Sequence, residues 1–291
     1  DFPAHRTLMR FTSGDHVRFE RIFSWLDDTV KQNAPVSGLV QVSEIENNVT
    51  PGVQNMVSPV DIAVVGDTLY VAAKNSPSFS RIDVSDPDAP VVLYQDTDFT
   101  GASSSGTSAR GVAANADRAF LAAYYNDEVR VYDVAGASTS IEHTIQDGTV
   151  VPLDKLNGPH GVDVSANGRY LYIATPPDHS LTVYDLNNAP QAWRHVDSTG
   201  LSGATNVAVF GDHAYVANAG GGSLGIVDVS DPATITMDVI ATVGGLDSPR
   251  HVEVAEVGDK VIAFVSEQTA TVSLVDVTTP ASPQLLTAIR I

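Results

Sequence analysis

The stretch GPHGVDVSANGRYLYIATP, residues 158–176, decides how the chain is to be read. It opens on Gly-Pro-His-Gly. Apolar and polar residues then alternate through Val162, Asp163 and Val164, as in a half-buried strand. Asn167-Gly168 follows, a dipeptide that supplies the backbone of a tight turn. Tyr170 to Ala174 then form a second, more apolar run. The stretch reads as a β-hairpin with a histidine, His160, at its threshold.

Four further segments lie over it. They are SPVDIAVVGDTLYVAAKN (58–75), SARGVAANADRAFLAAYYN (108–126), GATNVAVFGDHAYVANAG (203–220) and SPRHVEVAEVGDKVIAFVSE (248–267). Their turns fall at Gly66-Asp67, Asn115-Ala116-Asp117, Gly211-Asp212 and Gly258-Asp259. A third strand follows each hairpin: SRIDVSDP, VRVYDVAG, LTVYDLNN, LGIVDVSDP and VSLVDVTTP. Each carries an aspartate at one place: Asp83, Asp133, Asp185, Asp228 and Asp276. A short carboxylate there can accept backbone N–H groups of the turn ahead and end the strand. A fourth apolar segment, such as VVLYQ (91–95) or QLLTAIRI (284–291), closes most copies.

Four antiparallel strands in a unit of roughly 45–50 residues, repeated along the chain, describe blades of a β-propeller. The expected fold is all-β, with four-stranded antiparallel blades. Residues 58–291 account for five of them in a single domain. Residues 1–57 match less well. RFERIFSW and SGLVQVSEIEN can serve as strands of a divergent first blade, making six in all, or the segment is an arm that packs on a partner.

PHGVDVSANGRYLYIA resembles the YVTN-type repeats of surface-layer and lactonase-like propellers. AYVANAGGGSLGIVDVSDP resembles the LVIVD repeat of many exported bacterial and archaeal proteins. The resemblance covers about residues 58–291. It implies the propeller fold and serves binding proteins, surface proteins and enzymes alike.

Composition narrows the function. The net charge is −19, with 27 Asp and 8 Glu against 12 Arg and 4 Lys. Such a surface repels phosphate backbones, so nucleic acid is not an expected partner. No apolar run is long enough to span a membrane. With no cysteine, the chain has neither a thiol nucleophile nor a disulfide framework. An acidic, lysine-poor, cysteine-free chain suits secretion or the cell surface. The sequence opens on Asp1 with no basic-then-apolar leader, which reads as a processed chain or a fragment.

Register in a propeller places candidate site residues. The pairs Val60-Asp61, Arg110-Gly111, His160-Gly161, Thr205-Asn206 and Arg250-His251 all precede a first strand. Asp61, Arg110, His160, Asn206, Arg250 and His251 are therefore expected around one mouth of a central channel. Loops between second and third strands add Lys74, Asn75, Tyr124, Tyr125, Asp178, His179, Asn218, Glu267 and Gln268. Two arginines with two histidines suit a small anionic or carbohydrate ligand bearing a carboxylate, uronate or phosphate. In the bland alternative, His160 bonds a neighbouring blade's backbone and does nothing more.

No cofactor is expected. The alternative is a single divalent metal ion held by His160 and His251 with Asp61 or Glu267. GGSLG (221–225) matches a nucleophile-elbow pattern, but it falls in a hairpin of a blade rather than on a strand-to-helix turn. NVT (48–50) is a glycosylation sequon followed by proline, and SDPDAP (85–90) reads as a turn.

The leading functional expectation is an exported or surface-displayed propeller that binds a ligand, or other protein chains, without catalysis. The alternative is an enzyme with its site at the channel mouth. It would be a polysaccharide lyase or lactone hydrolase, with Tyr124, Tyr125 or a histidine moving protons and Arg110 and Arg250 quenching a carboxylate.

Overall fold

The structure, a computed structural model, describes residues 7–11, 16–21, 40–46, 56–76, 78–86, 88–99, 109–146, 156–187, 193–197, 200–231 and 239–290. The chain divides into two compact units, Asp1–Thr100 and Gly101–Ile291.

The first unit holds two sheets. β1 (Thr7–Phe11), β2 (His16–Arg21) and β3 (Val40–Glu46) form a three-stranded antiparallel meander. β4 (Val57–Val65), β5 (Thr68–Ser76), β6 (Ser78–Asp83) and β7 (Val91–Asp96) form the four-stranded blade 1. The expectation of six four-stranded blades is corrected to five. The N-terminal sheet has three strands among the described residues, and the first half of RFERIFSW lies in one of them. The sequon at 48–50 lies outside the described residues.

The second unit holds four blades. Blade 2 is β8 (Ala109–Ala114), β9 (Arg118–Ala123), β10 (Glu128–Asp133) and β11 (Ser140–Gln146). Blade 3 is β12 (Gly161–Val164), β13 (Tyr170–Thr175), β14 (Ser180–Asp185) and β15 (Trp193–Asp197). Blade 4 is β16 (Ala204–Phe210), β17 (His213–Asn218), β18 (Ser223–Asp228) and β19 (Val239–Gly244). Blade 5 is β20 (Pro249–Val257), β21 (Lys260–Glu267), β22 (Thr271–Asp276) and β23 (Gln284–Arg290). Strands of each blade are hydrogen-bonded in chain order, so every blade is an up-and-down meander. The architecture is an all-β propeller with four-stranded antiparallel blades.

Turn chemistry explains the hairpins. Val65 pairs with Thr68, Phe210 with His213 and Val257 with Lys260, leaving two-residue loops. Gly66, Gly211 and Gly258 lead those loops at φ +57°, +58° and +64°. A side chain there would meet nothing within 4 Å, so the glycine serves the backbone angle and not the space.

The repeated aspartate behaves as its spacing predicts. Each third strand ends on it, and its Oδ1 accepts the N–H two residues ahead. The pairs are Ser85 to Asp83, Ala135 to Asp133, Asn187 to Asp185, Ser230 to Asp228 and Thr278 to Asp276, at 2.8–3.1 Å. Hydrogen bonds from the backbone and hydroxyl of Ser85, and from the hydroxyl and backbone of Ser230, hold the Asp83 and Asp228 carboxyls below the usual carboxylate range.

Blades 3 and 4 bury both faces. In β13, Leu171 and Ile173 join a core with Phe120, Ala122, Val129 and Val131 of blade 2. The alternate residues Tyr170, Tyr172 and Ala174 join a core with Val207, Ala214 and Val216 of blade 4. Tyr215 and Ala217 pack in turn against Val252, Val254, Ala263 and Val265 of blade 5. A strand's two-residue period thus feeds two cores, and each large apolar side chain so buried contributes about 1.5–3 kcal/mol.

Candidate functional site

The paired positions before the first strands share one structural device. Between Ala109 and Gly111 the register of β8 on β9 shifts, leaving Arg110 as an extra residue. The same shift leaves Thr205 between Ala204 and Asn206, Arg250 between Pro249 and His251, and Val60 between Pro59 and Asp61. His160 directly precedes β12, and its backbone N–H bonds Ala174 O at 2.9 Å. A bulge of this kind takes one side chain out of the pleat and re-aims it.

Glycine follows the bulge in blades 2 and 3 because neighbouring backbones touch there. A Cβ on Gly111 would lie 2.3 Å from His160 O, and one on Gly161 would lie 2.4 Å from Asn206 Cα. The leading ends of β8, β12 and β16 are therefore in backbone contact, which brings Arg110 beside His160.

Three predicted residues meet at this point. The Arg110 guanidinium lies over the Tyr124 ring, with Cζ 5.3 Å from its centroid. Tyr124 stands edge-to-face with His160 at 6.1 Å and with Tyr125 at 4.9 Å. Tyr124 and Tyr125 sit on a single 3₁₀ turn, Tyr124–Asn126, between β9 and β10. Gly158, at φ +63°, lies flat against Tyr124, and a Cβ there would come within 2.8 Å of the ring. Its N–H is held by Asp127 Oδ1 at 2.8 Å.

His160 is fixed by blade 4. Its Nδ1 lies 2.8 Å from Thr205 O, and a carbonyl only accepts, so Nδ1 carries the proton. The single O–H of Thr205 is shared between Ala217 O at 3.0 Å and Pro249 O at 3.1 Å, which anchors the residue across blades 4 and 5. In the neutral ring Nε2 is left with its lone pair.

Four other cations of the second unit are ion-paired. Arg118 pairs with Glu142, Arg130 with Glu128, Arg169 with Asp185 and Lys260 with Asp276. Among the described residues no carboxylate pairs with Arg110, and its buried Nε, like that of Arg81 in the first unit, has no hydrogen-bond partner. A buried unsatisfied donor on a cation is a place where an anion gains most.

Other predicted residues tie loops together. Asp178 accepts from Asn157 N at 2.9 Å, and exposed His179 accepts from Gly203 N through Nδ1 at 2.9 Å. Glu267 spends both carboxylate oxygens, on Asp247 N and Ser273 Oγ. Arg250 donates to Gln268 at 2.7 Å, and Asn218 donates to Gly200 O at 2.9 Å. Asn206 is buried and accepts from Val252 N at 3.0 Å, stitching blade 4 to blade 5. His251 is half-buried in β20, where it pairs with Ser266. Arg250 occupies the same bulge as Arg110 in its own blade, but among the described residues no hydrogen bond or ring contact joins it to the Arg110–Tyr124–His160 cluster.

In the first unit, Asp61 is buried, and its Oδ1 accepts from Ile62 N at 2.9 Å. Lys74 is half-buried on β5, and the Asn75 side chain lies outside what the structure describes. Ser223 begins β18 and is no strand-to-helix elbow. Among the described residues no three His, Asp or Glu side chains gather closely enough to hold a metal ion.

Gly111, Gly158 and Gly161 were not singled out from the sequence. Arg-Gly and His-Gly at one register in two repeats are the sign that was there to find.

The LVIVD repeat matches residues 59–95, 160–189 and 203–242, within blades 1, 3 and 4. No curated protein matches the chain. Among solved structures, a Lactobacillus plantarum protein is 15% identical, with 97% of this chain and 84% of that one covered and a TM-score of 0.68. A proposed 6-phosphogluconolactonase from Bacteroides uniformis is 11% identical, with 98% and 82% covered and a TM-score of 0.70. A Desulfotomaculum acetoxidans protein of unknown function is 17% identical, with 94% and 76% covered and a TM-score of 0.65. At these identities the likeness is one of fold. The chain is a β-propeller of four-stranded blades that carries LVIVD repeats in three of them.

Proposed function

We propose that the chain binds a small anionic ligand at the Arg110–Tyr124–His160 cluster, without transforming it. The observation that carries this reading is Arg110. It is a half-buried cation with an unsatisfied Nε and no described carboxylate partner, in a chain with 35 acidic side chains against 16 basic ones. In such a chain a cation left unpaired on a strand bulge beside a loop marks a place kept for an outside anion. Calorimetric titration with acetate and with inorganic phosphate tests it. The parent binds at least one of them saturably, and Arg110→Met abolishes the heat while leaving the melting temperature within about 2 °C. Equal binding by parent and variant contradicts the reading.

A second reading is catalytic, as a lactone hydrolase or polysaccharide lyase. It draws on His160, whose Nδ1–H bond to Thr205 leaves Nε2 in the form a general base needs. Turnover of lactones or uronate polymers, lost in His160→Asn and insensitive to chelator, would favour it over simple binding.

Export or surface display is part of the proposal. It draws on the acidic, lysine-poor, cysteine-free composition and on the repeat. Among the described residues no helix is long and apolar enough to cross a membrane. Fractionation of the native host into medium, surface and cytosol tests it, and recovery from cytosol alone would contradict it.

A further inference from the structure

Granted the anion seat at Arg110, we infer that its ligand is a sugar acid of the hexuronate class, with its pyranose ring on Tyr125 and its carboxylate on Arg110. Three features beyond the cation point there.

First, an aromatic platform adjoins the cation. Tyr125 is 43% exposed and lies on the same short turn as Tyr124. Its ring is 4.9 Å from that of Tyr124, which in turn lies 5.3 Å below the Arg110 Cζ. One sugar ring and its exocyclic carboxylate can touch both ends of that row. An exposed aromatic face offers a pyranose a surface for its C–H groups that a bare anion cannot use.

Second, the seat is not uniformly positive. Asp127, the residue after the Tyr124–Asn126 turn, holds Gly158 N with one carboxylate oxygen, and Gly158 lies against Tyr124. A second carboxylate, Asp178, serves the adjoining N–H of Asn157. A doubly charged phosphate would meet more repulsion than a singly charged carboxylate from acidic groups on the loops around Tyr124. A singly charged carboxylate on a polyhydroxylated ring turns them from a source of repulsion into hydroxyl acceptors.

Third, the donor set is shaped for a planar oxyanion. Arginine presents its N–H groups as a flat fork that matches a carboxylate. The Nε–H of that fork is the donor left without a described partner.

Calorimetry with D-galacturonate, D-galactose, acetate and inorganic phosphate tests the inference. Galacturonate binds at least about tenfold more tightly than acetate, galactose or phosphate. Tyr125→Ala, a change at an exposed position, weakens galacturonate about tenfold and leaves acetate unchanged. Arg110→Met removes galacturonate and acetate together. If acetate or phosphate binds and galacturonate binds no tighter, or if Tyr125→Ala leaves galacturonate unaffected, the sugar-acid inference is overturned while the anion seat stands. If the parent binds none of the anions, both fall.

Discussion

The imidazole of His160 is hydrogen-bonded through Nδ1 to the backbone carbonyl of Thr205, 2.8 Å away in the next blade. One side chain therefore serves the packing of blade 3 on blade 4 and stands at the cluster where a ligand is proposed. The two roles use different ring atoms and are separable.

Asparagine can reach the Thr205 carbonyl with its amide but has no atom at the Nε2 position. His160→Asn is expected to melt within about 2 °C of the parent, whereas His160→Ala loses about 1–2 kcal/mol by stranding a buried carbonyl. Thermal melts of both variants check this. Equal melting of parent and His160→Ala would mean that the bond carries no stability.

Gly111→Ala and Gly161→Ala are expected to be among the most damaging small substitutions in the chain. Each places a methyl group 2.3–2.4 Å from backbone atoms of the next blade. Relief requires the blades to separate, costing about 3 kcal/mol or more. Gly136→Ala, where a Cβ meets nothing within 4 Å, is the control and stays within about 0.5 kcal/mol. Denaturant unfolding of the three variants decides the matter, and similar midpoints for all would refute the close approach.

Asp133→Ala and Asp228→Ala each remove the acceptor that ends a third strand. A loss of up to about 1 kcal/mol apiece is expected, despite the relief of negative charge. Parent-like stability in both variants would show that the Asx turn is dispensable.

The same turn in blade 5 carries a pH dependence. Lys260 donates to Asp276, and with the Thr278 hydroxyl and N–H it lowers the Asp276 carboxyl from 3.8 to about 2. On acidification the unfolded chain takes up this proton first. The stabilisation is therefore complete above about pH 4 and drains away between about pH 4 and pH 2. The stability gap between the parent and Asp276→Asn narrows across that window. A gap that stays constant from pH 5 to pH 2 would contradict the pairing.

Blades, turns and the strand-ending aspartates were legible in the sequence because they follow from local chemistry. Period-two alternation and a carboxylate two residues before an N–H recur in every copy, and glycine sits at four of the five hairpin turns. Bulges were not legible as such. Arg110 and Arg250 read as the last residues of a loop, whereas each lies inside a strand as an unpaired extra residue. The roles of Asp178, His179 and Glu267 were also hidden, since each bonds a backbone N–H in another loop. Such pairings depend on how loops fold over one another, which no repeat register contains. The N-terminal sheet shows the limit of extrapolating a repeat, because residues without the motif hold three strands among the described residues where four were expected.

The central claim is that Arg110 is held ready for an outside anion. The most direct measurement is the side-chain Nε–H resonance of Arg110 in a nitrogen-15 NMR titration with galacturonate. Arg250, exposed and already bonded to Gln268, is the internal reference. The account predicts a saturable shift of the Arg110 signal with Arg250 unmoved. An Arg110 signal that stays still through the titration, or moves only in step with Arg250, would contradict it.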